Sequence, residues 1–250
     1  MASSGRPQKE EIKEKFIIEA EYGTTGAFPS ATVVLSKVSY SLDKGPLLLP
    51  FTNYVHRNGQ QSHAEGLLIQ QLRDIVEKEE DMGKNGQKVT KIDIQTFQNY
   101  APCDDYDAEK KHGCATDIVA FKDDMEKQGK TVKMKITFAN FYRWFGEREG
   151  RGKQNMEGLG RLRKNDVVLE LLQGKTMWQS LFDDNNLVDL TEGDKAELLG
   201  KATSKSRIER EKKDSETFRL YVSGDAAVDE SGDAAVDEIT PNLQSMSFAQ

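Results

Sequence analysis

The sequence predicts an α/β domain: a five-stranded mixed sheet flanked by helices, in three layers of helix, sheet and helix. Three observations lead there. Two strand-forming segments, TVVLSKVSYSL (32–42) and LLLPFTNYVHRNG (47–59), flank the turn DKGP and read as an antiparallel hairpin. From residue 88 onward, strand-like and helix-like segments alternate, a pattern that builds parallel strand pairs with helices on the sheet faces. A chain of 250 residues with 36% hydrophobic content can also bury one substantial core.

Taken in order, residues 1–9 are expected to be disordered, and EEIKEKFIIEAE (10–21) has an apolar centre between charges that suits a short helix. YGTTGAFPSA is a loop by its Gly, Pro and Ser content. After the hairpin, Leu67, Leu68, Leu72, Ile75 and Val76 recur at helical spacing over 64–80, and the glycine-containing MGKNGQK ends that run. Then come strand KVTKIDIQTF, helix CATDIVAFKDDMEKQ, strand TVKMKITFANFY, helix QNMEGLGRLRK, strand VVLELL and helix KTMWQSLFDD. The domain is expected to span 10–213. SGDAAVDE occurs at 223–230 and again at 231–238, and such acidic repeats cannot bury a core, so 214–250 is read as a disordered tail.

The start, MASSGRPQKEEIKEKF, has no apolar signal region, and no stretch is long enough to cross a bilayer. The expectation is an intracellular protein, cytoplasmic or nuclear and not secreted, with no membrane partner and a monomeric state. Two cysteines are too few for a disulfide scaffold and fit a reducing compartment, where paired cysteines more often bind metal or do chemistry. The net charge of -7 is carried by the tail: residues 214–250 hold eight acids and one base, leaving 34 of each sign elsewhere. Two basic clusters stand out, seven bases against three acids over 143–164 and six against two over 201–213. Each reads either as a solvated helix or loop face or as a phosphate-binding surface.

The chemistry-bearing residues begin at SHAEGLLIQQL (62–72), where His63 and Glu65 stand one residue apart at the start of a helix. Alone this pair is a weak signal, since the helix dipole favours a glutamate there. Downstream, Cys103 follows Pro102 at the end of a strand-to-helix loop and Cys114 opens the next helix. One imidazole and two thiols near helix N-termini at one sheet edge suit zinc and leave a fourth position for water. Zinc brings the pKa of water toward neutrality, and Glu65 beside it can both accept and donate protons. This is the general arrangement of a zinc deaminase, whose signature pairs H-x-E with P-C-x-x-C. Here ten residues separate the cysteines in place of two to four, a length that costs little closure entropy. His112, or a carboxylate of Asp104, Asp105 or Asp107, is the alternative to Cys114 as third ligand. A disulfide between the two cysteines is disfavoured without a secretory signal.

With HAE and PC in register, the chain resembles the cytidine deaminase superfamily, and within it the AID/APOBEC branch of polynucleotide cytidine deaminases. The resemblance spans roughly residues 10–210. FTNYVHRNG before HAE resembles that branch's second strand and following loop, and NYAPC is similar to its SWSPC. ITFANFYRWFGE followed by MEGLGRLRKNDVVLELL resembles its fourth strand, specificity loop, helix and fifth strand, and MWQSLFD the helix after it. The resemblance implies the cytidine deaminase fold, zinc held by His63, Cys103 and Cys114, and Glu65 as the catalytic proton carrier. It places Thr32 and Asn58 at the target nucleotide and its sugar, and it adds Ala64, Tyr100, Tyr142, Arg143 and Trp144 to the substrate-binding set. Tyr100 stands where the family has tryptophan and Ala101 where it has serine, but a tyrosine face can still stack a base. The resemblance also implies that Phe145 shares with Trp144 the loop that reads the neighbouring base, with Arg143 and Arg148 near phosphate. Of Phe138 and Phe141, one is expected to be core.

The resulting expectation is zinc-dependent deamination of cytidine to uridine in single-stranded DNA, or in RNA. Deamination of free cytidine or deoxycytidine is one alternative, and a zinc-stabilised nucleic-acid-binding protein without turnover is another.

Overall fold

The computed structural model describes residues 6–17, 32–43, 52–57, 63–82, 88–104, 113–141 and 149–219. Within them the chain runs α1 (Lys9–Lys15), β1 (Val33–Leu42), β2 (Thr52–Arg57), α2 (Ala64–Met82), β3 (Val89–Tyr100), α3 (Cys114–Lys127), β4 (Thr131–Asn140), α4 (Glu149–Lys164), β5 (Val167–Leu171), α5 (Gly174–Phe182), α6 (Glu192–Ala202) and α7 (Lys205–Thr217). The five strands form one sheet in the order β2-β1-β3-β4-β5. β1 pairs antiparallel with both β2 and β3, and β3–β4 and β4–β5 are parallel. The expected mixed sheet flanked by helices is therefore the fold observed.

Strand alternation divides the core into two layers, because successive side chains leave a strand on opposite faces. Val34, Val38, Ile92, Ile94, Met134, Ile136, Leu169 and Leu171 face one way and pack with Leu68 and Leu72 of α2, Ile118 and Phe121 of α3, and Leu159 and Leu162 of α4. Val33, Leu35, Phe97 and Ala139 face the other way, against Ile12 of α1, Trp178 and Phe182 of α5, and Leu198 of α6. Phe138 and Phe141 are both fully buried and meet edge to face at 5.3 Å, so both belong to the core. Gly129 closes α3 at φ +80°, a conformation that glycine enters without a Cβ clash, and the chain turns directly into β4.

Two helices were not expected. α6 starts at a capping box in which the Thr191 side chain accepts from the Asp194 N–H and the Asp194 carboxylate accepts from the Thr191 N–H. α7 buries Arg207, Arg210, Glu211, Asp214 and Thr217, so its inward face carries charge instead of an apolar stripe. The tail boundary expected at 214 moves accordingly: Asp214 is buried, within 3.7 Å of Arg210, and Phe218 packs against the first core layer near Phe138. At the other end, the expected disordered stretch 1–9 includes described residues from Arg6, whose guanidinium donates to the Asn185 carbonyl, while the Pro7 carbonyl accepts from the Asp189 N–H. The repeat at 223–238 lies outside the described residues.

α7 is locked to the sheet by one side chain. Arg207 is fully buried; its Nη1 donates to Asn140 Oδ1 at 2.9 Å and its Nη2 to the Ala139 carbonyl at 2.8 Å, while Nε faces Glu211 at 3.3 Å. Its guanidinium lies 5.3 Å from the ring centre of Trp178, whose Nε1–H donates to the same Glu211 carboxylate at 2.8 Å. Asn140 in turn donates to the Asn99 carbonyl at 2.9 Å, and the Asn99 side chain accepts from the Val33 N–H at 2.8 Å. This chain of bonds fixes the ends of β4 and β3 against the start of β1.

Candidate active site

Parallel β3 and β4 end side by side, with Tyr100 opposite Asn140 and the Ala101 N–H bonded to the Asn140 carbonyl at 2.8 Å. The rim of a sheet beyond the carboxyl ends of parallel strands is where α/β folds expose loops and helix N-termini together. Cys103 leaves β3 there, Cys114 is the first residue of α3, and His63 immediately precedes α2. The His63 Nδ1 stands 3.1 Å from Cys103 Sγ and 3.0 Å from Cys114 Sγ, and the two sulfurs are 3.5 Å apart. That separation is far beyond a disulfide bond of about 2.05 Å, and both cysteines are free. Among the described residues these three form a cluster able to hold a metal ion.

The donors fit zinc by kind and by spacing. In a tetrahedron with Zn–S bonds of about 2.3 Å and a Zn–N bond of about 2.0–2.1 Å, ligand atoms stand roughly 3.5–3.8 Å apart, so an outward movement of about half an ångström admits the ion. Cys103 and Cys114 are buried and His63 is half-buried, an enclosure that supports a fixed ligand geometry. Of the rival ligands, Asp104 turns its carboxylate to Thr116 and Arg161; Asp105, Asp107 and His112 lie outside the described residues.

Glu65, in the first turn of α2, completes the group: its Oε2 is 3.4 Å from Cys114 Sγ. Its side chain is buried, and burial first, then the neighbouring Cys103 thiolate, pushes its pKa up to about 7. Cys103 is held down to about 4, first by its hydrogen bond with Cys114 and next by that with His63, while Cys114 is pushed well above its ordinary range by the same contact and by burial. Two thiols shifted in opposite directions and a carboxyl near neutrality thus meet at Cys114, whose sulfur lies 3.5 Å from Cys103 Sγ and 3.4 Å from Glu65 Oε2.

The other expected site residues divide into placed and undescribed ones. Ala64 and Tyr100 are buried beside the cluster in sequence, and Thr32 precedes Val33, which Asn99 holds level with the end of β3. Asn58, Tyr142, Arg143 and Trp144 lie outside the described residues. Of the basic cluster at 201–213, Arg207 and Arg210 point inward and are structural, leaving Lys205, Lys212 and Lys213 as its exposed bases. Thr116, Asn155 and Arg161, which gather around Asp104, were missed, for lack of any local pattern joining α3 and α4 to the loop.

No family model matches the chain, and no curated protein matches it. Among solved structures, the crystal structure of Aspergillus oryzae Rib2 deaminase in complex with DARIPP is similar over 60% of this chain and 75% of its own, at 9% identity and a TM-score of 0.32. A likeness of that size carries no argument about this chain, and the functional reading rests on the residues themselves.

Proposed function

We propose that this chain is a zinc-dependent hydrolytic deaminase that converts cytidine to uridine in single-stranded DNA or RNA. The observation that carries the reading is the convergence of His63 Nδ1, Cys103 Sγ and Cys114 Sγ with the buried Glu65 carboxyl 3.4 Å from the last of them. His63 and Glu65 at the start of α2, Cys103 beyond the end of β3 and Cys114 at the start of α3 follow the order of the H-x-E and P-C deaminase signature, which supports the reading.

Zinc held by His63, Cys103 and Cys114 supplies Lewis acidity that makes water nucleophilic near neutral pH. Glu65 manages the protons. It accepts one from the attacking water and delivers it to the ring nitrogen next to the reacting carbon, then takes the second from the hydroxyl now on that carbon and passes it to the amino group, which leaves as ammonia. The carbon–nitrogen bond breaks and a carbonyl takes its place, so one water is consumed per ammonia released. A carboxyl whose pKa sits near 7 is suited to accept and to donate in one cycle.

A polynucleotide substrate is supported by the sequence of the segment after Phe141, YRWFGERE, whose aromatic and arginine residues suit stacked, extruded bases and phosphate. The test is a deamination assay of the zinc-loaded chain on single-stranded DNA with cytosine in all four preceding-base contexts, on single-stranded RNA, and on free cytidine and deoxycytidine, with Glu65→Ala as control. Uracil formed in a strand and lost in the control is the expected result. Turnover of free nucleosides alone removes the polynucleotide reading, and no turnover of any substrate by zinc-loaded protein removes the enzyme.

A further inference from the structure

Ten residues separate Cys103 from Cys114, yet their sulfurs stand 3.5 Å apart. The described ends of that segment show how it is closed. A Cβ placed on Gly113 would lie 2.5 Å from the Asp104 Cα and 2.8 Å from its carbonyl carbon, so the two backbones touch where the segment leaves and where it returns. Gly158 of α4 makes room on the other side, since a Cβ there would lie 2.5 Å from the Asp104 Cβ. In that slot the Asp104 N–H donates to the buried Asn155 Oδ1 at 2.8 Å, its Oδ1 accepts from Thr116 Oγ1 at 3.0 Å, and its Oδ2 pairs with Arg161 Nη2 at 2.8 Å. Arg161 Nη1 also donates to Thr116 Oγ1 at 2.6 Å, and the Ala115 N–H returns to the Cys103 carbonyl at 3.0 Å.

We infer that Asp104 is the positioning residue of the metal centre: it joins the end of β3 to α3 and α4, so that the segment between the cysteines closes on itself and both thiols reach His63. The inference rests on the zinc reading of the site. Asp104 is not a ligand. It replaces the short spacer of the deaminase signature with a tertiary clasp, and without it the freedom of the ten-residue link is lost only when the ion binds, at the expense of affinity. Partners that orient ligands are generally worth 10–100-fold in metal affinity.

The experiment measures zinc release from the full chain to a chromogenic chelator, together with the visible spectrum of the cobalt(II)-substituted protein. Asp104→Ala is expected to release zinc about tenfold faster and to shift the cobalt bands; Asp104→Asn, which keeps an acceptor for Thr116 and loses the charge facing Arg161, is expected to fall between. Glu126→Gln, which removes the Lys122 ion pair within α3, is the structural control and should move neither readout. If Asp104→Ala does not fold, Thr116→Val and Arg161→Met carry the test, and each must speed release severalfold. Release and spectrum unchanged in the variants overturn the inference while leaving the zinc reading intact. A wild-type chain that binds no zinc overturns both.

Discussion

Replacing Glu65 by glutamine keeps the volume of the side chain and removes its titration, and two effects of different size follow. The carboxyl is buried, with its pKa raised from an ordinary 4.5 to about 7. An acid whose folded pKa is raised holds its proton more tightly in the folded state, so its contribution is fully present below about 4.5 and is lost as pH climbs through about 7. At 1.36 kcal/mol per pKa unit, moving from pH 5 to pH 8 removes about 2–3 kcal/mol from the metal-free wild type. Cys103 titrates in the opposite sense, because its pKa is lowered, so the wild-type profile alone mixes the two. Subtracting the Glu65→Gln profile cancels the part of the thiol titration that does not depend on Glu65, leaving the glutamate together with its coupling to Cys103 and Cys114. Urea unfolding of both metal-free proteins at pH 5 and pH 8 should show the mutant gaining about 2–3 kcal/mol on the wild type over that interval. In the zinc-loaded state, turnover should fall by about 10²–10⁴, or about 3–5 kcal/mol in the barrier, with zinc content unchanged. Parallel pH profiles for the two proteins would refute the assignment of a buried acid near neutrality, and turnover within tenfold of wild type would refute its proton-carrying role.

Three further outcomes are expected. Zinc uptake should release at least one proton near pH 7, because Cys114 is held as the thiol, so affinity should rise about tenfold per pH unit, as chelator competition at pH 6 and 7 can read; His63→Ala should abolish that uptake. Arg207→Met should cost about 3–5 kcal/mol, measured by denaturation, since it strands the Glu211 charge and the acceptors of Ala139 and Asn140; Arg207→Lys should not restore the loss because its ammonium cannot reproduce the fork. Truncation after Arg219 should raise affinity for single-stranded DNA at low salt by removing six acids, whereas unchanged anisotropy titrations would dismiss tail screening.

The sheet was legible because its strands carry both faces in their lettering: Val33 and Leu35 serve one core layer while Val34 and Val38 serve the other. α7 was not legible, since helix periodicity is read from apolar residues and this helix turns Arg207, Arg210 and Asp214 inward. α6 carried a readable start at Thr191 and Asp194, but its short run of Leu198 and Leu199 is a weak stripe. At the site, His63, Glu65 and Cys103 follow local spacing and were identifiable. Cys114 was ambiguous, because it is brought to the others by tertiary contacts, among them those of residues 104, 113, 116, 155, 158 and 161 from a loop and two helices, that no local spacing shows.

The Arg207 bond to Asn140 joins residues 67 positions apart, and this sets an order of events during synthesis. Every cluster residue, from His63 to Cys114, emerges before the helix that fastens the ends of β3 and β4 beneath it exists. Until α7 arrives, the Ala139 carbonyl and the Asn140 amide lack their guanidinium partner, and the sheet rim that carries Cys103 is held by its sheet neighbours and by the contacts of residues 103 and 104 with α3 and α4. The centre is therefore finished from the far end of the chain: the last described helix to leave the ribosome adds a brace to the rim, and a chain interrupted before residue 207 has all three side chains of the candidate metal cluster without that brace beneath them.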